Sequence, residues 1–184
     1  MANALVILAD GFEDIEAVTV IDVLRRGGVE VVTAALGDGL SVRSAHGVVM
    51  NADARFADAA GAGYDAIVLP GGGEGTANLK ASEPVLARLR RQREDGRLIC
   101  AICAAPTVLV RAGVLDAGVQ VTCYPSCAAE LDRPCANAPV VQDGTVITGQ
   151  APGASLLFAL VVLQALGGEE LAGKVARGMV TDVL

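Results

Sequence analysis

The chain has 184 residues, of which 53% are hydrophobic and 19% charged, and it carries a formal charge of −7. A chain of this make-up buries a large core and is not disordered, its length fits one domain over residues 1–184, and its acidity argues against nucleic acid as a partner, because phosphate binding needs a basic face. No apolar run reaches the roughly 18 residues of a membrane span, and the start of the chain lacks the basic opening and cleavage pattern of a leader. The sequence therefore reads as soluble and cytoplasmic, with no nucleic-acid groove and no membrane partner.

Ala4 to Ala9 is a short aliphatic run, read as a central parallel strand buried on both faces. Glu13-Asp14-Ile15-Glu16 opens a helix to about Arg26, with acids in its first turn, where the helix dipole favours them. Gly27-Gly28 ends it, and Val29 to Ala35 is a second strand, completing a βαβ unit. Leu40 to Arg43 and Val48 to Met50, around Ala45-His46-Gly47, read as a hairpin at the sheet edge. Tyr64 to Leu69 is another buried strand, and Pro70 to Gly75 is a glycine-rich loop whose backbone can approach a ligand closely.

A helix from about Pro84 to Glu94 follows, and its Arg88 to Arg93 cluster reads as a solvated face. Leu98 to Ile102 is a strand that turns at Cys103 into a helix to about Arg111. Val119 to Cys123 reads as a strand leading to Tyr124-Pro125-Ser126-Cys127. Val140-Val141 and Val146 to Thr148 form a hairpin around Asp143-Gly144. A helix from about Ala154 to Leu166 and a short one from Glu169 to Arg177 complete the chain. The alternation of β and α elements predicts a three-layer α/β sandwich with a mostly parallel, doubly wound sheet and a small edge hairpin. In such a sheet, sites form at the C-terminal ends of strands. Four loops fall there: Asp10–Glu16, Pro70–Gly75, Ala101–Pro106 and Tyr124–Cys127.

Those loops hold the candidates for chemistry. Cys103 stands at the turn between strand and helix, where the helix start favours an anion and lowers a thiol's pKa. The alternative is that Cys103 and Cys100 are both inert core residues. Their C-x-x-C spacing does not read as a redox motif, because the spacer is Ala-Ile and Cys100 lies inside the strand. A zinc site is disfavoured by the single histidine, and no metal is expected. Five cysteines with no secretion signal are expected as reduced thiols. Glu16, among apolar neighbours, is the acid that faces inward, unless it is a surface helix carboxylate, whereas Glu13 and Asp14 fall at the exposed first turn. Near a thiolate in a dry pocket its pKa rises, so that it can donate a hydrogen bond to sulfur. Gly72 and Gly73 can present backbone N–H groups to an oxyanion, joined by the N–H of Ala104. No phosphate-loop pattern accompanies them. His46 reads as a surface or subunit-contact residue, and Tyr124 as a group that positions or shapes substrate.

Four segments together resemble the ThiJ/PfpI superfamily, in the branch of the parkinsonism-associated deglycase and its bacterial relatives. They are Ala4 to Glu16, Leu69-Pro-Gly-Gly-Gly73, Ala101-Ile-Cys-Ala-Ala-Pro106 and Thr148-Gly-Gln-Ala-Pro-Gly153. The resemblance implies a flavodoxin-like sandwich that forms a homodimer. It places the family's nucleophilic cysteine on Cys103, its protonated glutamate on Glu16, and its oxyanion donors on Gly72 and Ala104. It implies a glyoxalase III-like enzyme or protein deglycase that needs no cofactor and acts on methylglyoxal, glyoxal or their early adducts on protein and nucleotide amines. Oxidative-stress sensing and chaperone activity are the alternatives it implies. Two positions depart from the pattern. Tyr124 stands where many members have a histidine, which removes the base of a Cys-His-acid protease mechanism. Gln150 stands where some members have an arginine.

Overall fold

The computed structural model describes residues 1–183; Leu184, the last residue of the expected domain, lies outside the described residues. The chain runs β1 (Asn3–Leu8), α1 (Asp14–Arg26), β2 (Glu30–Ala35), β3 (Ser41–Arg43), β4 (Val49–Asn51), β5 (Ala54–Arg55), α2 (Phe56–Ala59), β6 (Ala66–Leu69) and α3 (Gly73–Ala81). It continues through α4 (Glu83–Glu94), β7 (Leu98–Ile102), α5 (Pro106–Ala112), a 3-10 turn (Pro125–Glu130), β8 (Val140–Asp143), β9 (Val146–Gly149), α6 (Ser155–Gly167) and α7 (Glu169–Gly178).

Seven strands form one sheet in the order β5-β2-β1-β6-β7-β9-β8, with only β8 antiparallel to its neighbour. The period-2 alternation of its strands builds two cores. Val6, Val68, Cys100 and Ile147 stand side by side across β1, β6, β7 and β9 and pack with α1, α6 and α7. The row one residue earlier, Leu5, Ile67, Ile99 and Val146, faces α3, α4 and α5. Helix α1 turns Ala17, Val20, Ile21 and Leu24 inward, the i, i+3, i+4, i+7 stripe of an amphipathic helix. This is the flavodoxin-like, doubly wound α/β sandwich the sequence predicts.

The chain leaves β1 toward β2 and β5 on one side, then returns to build β6, β7 and β9 on the other. The order therefore reverses between β1 and β6. At such a switch point the loops after neighbouring strands diverge and leave a crevice. The loops after β1, β6 and β7 carry Glu13, Gly71–Gly72 and Cys103 to that crevice.

Four details differ from the sequence reading. The hairpin does not extend the main sheet: β3 and β4 pair only with each other. The β1–α1 loop takes up their backbone, with the Gly11 N–H donating to Arg43 O (2.8 Å) and the Ala45 N–H to Phe12 O (2.8 Å), while β5 occupies the place beside β2. Val119 to Cys123 is not a strand. Two of its N–H groups go to side chains instead, Gln120 to Asp143 and Thr122 to Thr148 (2.9 Å each), and only Val121 bridges to Cys135. Gly73 to Gly75, read as loop, is the first turn of α3; its glycines are weak helix formers, but the Thr76 N–H closes the turn on Gly72 O at 2.9 Å. Finally, Arg88 is buried rather than solvated, with its guanidinium over the Tyr64 ring at 6.0 Å.

Candidate functional site

Cys103 takes a left-handed backbone conformation, φ +65°, which is uncommon for a residue with a Cβ. Its peptide groups are held on both sides. The N–H donates to Gly149 O at the end of β9 (2.9 Å), and the carbonyl accepts the Tyr124 N–H (2.7 Å). The turn that follows is closed by the Thr107 hydroxyl, which donates to Ala104 O at 2.7 Å. Strain of this kind persists only where its surroundings over-determine it. It lifts the Cys103 side chain out of the strand's alternation. Cys100, three residues earlier in β7, stays wholly inside the sheet–helix core, where burial pushes its thiol far up.

Glu16 is 1% exposed, so the inward orientation is the observed one. The Gly71 N–H donates to its Oε2 at 2.7 Å. Its Oε1 is buried without an N–H or O–H partner, and the polar side chain that meets the carboxyl is the Cys103 thiol. The approach is close because Gly71 has no side chain. A Cβ there would lie 2.6 Å from the Cys103 Cβ and 2.7 Å from Glu16 Oε2. Gly72 has φ +90°, and a Cβ on it would lie 2.1 Å from Gly11 O. The N–H groups of Gly72 and Ala104 reach the sulfur. Gly73 is exposed at the start of α3 and is not one of the groups drawn to it.

Burial raises the Glu16 carboxyl from 4.5 to about 7, and the Glu13 charge adds to the rise. The thiol does not show the simple lowering expected from a helix start. Burial, and then the charge and hydrogen bond of an ionised Glu16, push Cys103 up to about 12 against the pull of Gly72 and Ala104. The reason is that the residue is only 8% exposed, so desolvation outweighs two amides. Each group acts on the other's titration, so the two are read as a pair. When Glu16 holds a proton, its charge no longer opposes a thiolate and its O–H becomes a third donor to sulfur.

Two neighbours complete the picture. Glu13 is not on an exposed turn: it is buried, and its Oε2 caps α1 by accepting the Glu16 N–H at 2.9 Å. Glutamate is not among the usual N-cap residues, so the sequence carries no clear signal for this cap. Gly71 carries none either within its run of glycines. Asp14 is partly buried, which acts upward, yet hydrogen bonds from Ser44 and His46 hold it below the ordinary range. His46 Nδ1 lies 2.8 Å from Asp14 Oδ2, so the single histidine is engaged at the start of α1 rather than beside Cys103. Glu13, Asp14 and His46 offer ligand atoms within 4.8 Å of one another, but the cap and these hydrogen bonds already account for the grouping. Tyr124 is 42% exposed at the mouth of the elbow. Gln150 places its amide near Asn137 (3.5 Å).

The sequence profile of the DJ-1/PfpI family matches residues 2–165. The chain is also 41% identical over 180 residues to the protein dj-1beta of Drosophila melanogaster, covering 96% of each chain. The chain belongs to the DJ-1/PfpI family. This DJ-1/PfpI protein is 30% identical to the deglycase TK1284 of Thermococcus kodakarensis, over 82% of its own length and 91% of the relative's. The solved structure of oxidized Toxoplasma gondii DJ-1 superposes with a TM-score of 0.95 at 33% identity, covering 98% of this chain and 99% of that one. Among the described residues, no helix is long and apolar enough to cross a membrane.

Proposed function

We propose that this DJ-1/PfpI protein is a cofactor-independent, cysteine-dependent glyoxalase or deglycase, with Cys103 as nucleophile and Glu16 as its proton partner. The observation that carries the reading is the pairing of a strained elbow cysteine with a buried carboxyl of raised pKa and two backbone N–H donors. The deglycase-named archaeal relative supports it. The Cys103 thiolate attacks the aldehyde carbon of methylglyoxal and forms a C–S bond. The amides of Gly72 and Ala104 hold the resulting oxyanion, and Gly73 borders the same pocket. Glu16 protonates that oxygen, then moves the proton from C1 to C2 through an enediol. The oxidation of one carbon is matched by reduction of its neighbour, so no external electron carrier enters. Water cleaves the thioester, releasing lactate and restoring the thiol. Tyr124 positions the substrate.

The same attack on early adducts of methylglyoxal or glyoxal with amines gives deglycation. The test is to mix purified protein with methylglyoxal and follow lactate. Formation by wild type and its loss in Cys103→Ser support the reading, and equal yields from both sink it.

A second reading is an oxidative-stress sensor or redox-regulated chaperone in which Cys103 becomes a sulfinate held by Glu16. The oxidized form of the Toxoplasma gondii relative favours keeping it in view. Intact mass after mild peroxide tests it; if another cysteine takes up oxygen before Cys103, it fails.

We further propose that residues 1–184 act as one domain, in the cytoplasm, as a homodimer. Five free thiols suit a reducing compartment. Ile15 and Val18 on α1, with Val48 and Val49 on the hairpin, are large apolar side chains left open to solvent beside the site.

A further inference from the structure

We propose that Cys123 and Cys135 form a second redox site, a dithiol that peroxides convert to an intramolecular disulfide. Their sulfurs lie 3.6 Å apart in a hydrogen-bonding contact. The backbone holds them together. Val121 bridges to Cys135, and the Ala136 N–H donates to Val121 O at 2.8 Å. Arg133 clamps the same loop, with its guanidinium donating to the carbonyls of Leu115, Asp116 and Val119. A pair restrained in this way needs little further motion to reach bonding distance.

The two thiols are unequal, which sets the order of the chemistry. Cys123 is fully buried, and burial and the Cys135 hydrogen bond push its thiol up to about 12. Cys135 is half-buried and lines a cavity of about 460 Å³ beside Gly118, Val119 and Gln120. A peroxide entering there transfers one oxygen to the Cys135 sulfur, giving a sulfenic acid and leaving as an alcohol or water. The Cys123 sulfur then attacks that sulfenic sulfur. The S–S bond forms as the S–O bond breaks, and the oxygen departs as water with the Cys123 proton. Both thiols are oxidised and one peroxide is reduced. Cys127 lies in the same loop, yet among the described residues no three thiols come within 4.8 Å of one another, so the geometry selects the pair. The disulfide would sit one residue from Tyr124, whose N–H holds the Cys103 carbonyl.

This inference does not rest on the glyoxalase reading. Its test uses no substrate and is run with Cys103 absent. Full-length Cys103→Ala is treated with hydrogen peroxide, denatured, alkylated and digested with a protease that cuts after Glu130, which separates the two cysteines onto different peptides. The expected result is a mass loss of two hydrogens, two fewer alkylated thiols, and one cross-linked peptide joining Cys123 to Cys135 that dithiothreitol releases. Wild type gives the same cross-link, and adding Cys135→Ser abolishes it without linking Cys123 to Cys127. Oxygen addition at these sulfurs without a cross-link, a cross-link through Cys127 or between molecules, or unchanged thiols at a dose that oxidises Cys103 in wild type would each overturn the proposal.

Discussion

Glu16 is fastened by one carboxyl oxygen to the Gly71 N–H, 2.7 Å away, while its other oxygen has no N–H or O–H donor. That asymmetry leaves one carboxyl oxygen free to carry a proton toward the sulfur. The sulfur of Cys103 is reached by two amides, Gly72 and Ala104, and the carboxyl by one. The Glu13 charge acts on Glu16, and it is not among the influences on Cys103. A proton on Oε1 keeps the Gly71 bond and adds a donor to the sulfur. A neutral Glu16 therefore lowers the cost of a thiolate that burial and an ionised Glu16 together oppose.

With the thiol removed, Glu16 titrates alone, and its cost becomes visible as stability. Burial raises the folded-state pKa of Glu16 to about 7 in the wild-type site, against 4.5 for the ordinary carboxyl, and Cys103→Ala removes a hydrogen bond that acts downward, so the pKa stays raised. Between those values the folded chain binds more protons than the unfolded one, so stability falls as pH rises. The full loss is about 3 kcal/mol, from roughly 1.4 kcal/mol for each pKa unit. Denaturant unfolding across this window measures it. Adding Glu16→Gln flattens the slope. Adding Glu13→Gln keeps the cap acceptor and removes a charge that raises the Glu16 pKa, so the decline shifts to lower pH; no shift, or one to higher pH, contradicts the account.

The loop glycines separate cleanly into one that is indispensable and one that is not. Gly72→Ala places a Cβ 2.1 Å from Gly11 O at φ +90°, and costs about 3 kcal/mol through backbone strain and overpacking. Gly73→Ala meets nothing within 4 Å, so it changes stability by under about 1 kcal/mol, in the stabilising direction. Urea midpoints of the two variants check the contrast.

The proposed homodimer predicts that an acid in the open apolar patch dissociates it. Val18→Glu, at a side chain 48% exposed, shifts the protein from dimer to monomer in sedimentation at micromolar concentration while leaving its helical signal intact. A wild-type protein that is already monomeric removes this part of the reading.

Much of the architecture was legible because it rests on local patterns. The aliphatic runs of β1, β6 and β7 are buried on both faces, so they needed no partner information to be recognised. Cys103 and Glu16 stood out by position and apolar company. What escaped depends on contacts across the chain. Gly71 matters because of what lies against it from α1 and β7. Glu13 looked exposed because a cap and a surface acid have the same sequence. Residues 119–123 have strand-like composition, but side chains of β8 and β9 take the N–H groups of Gln120 and Thr122. The raised pKa of the thiol escapes a sequence reading because the helix start is visible in sequence and desolvation is not.

The ultraviolet absorbance of thiolate, titrated in wild type and in Cys103→Ser, tests the central pairing most directly. The account predicts that the Cys103 signal appears only above the roughly 8.5 of an ordinary cysteine, because burial and the Glu16 charge both oppose the thiolate, and that it moves to lower pH in Glu16→Gln, where that charge is gone. A midpoint at or below about 8.5 in wild type, or one that Glu16→Gln leaves where it was, would contradict it.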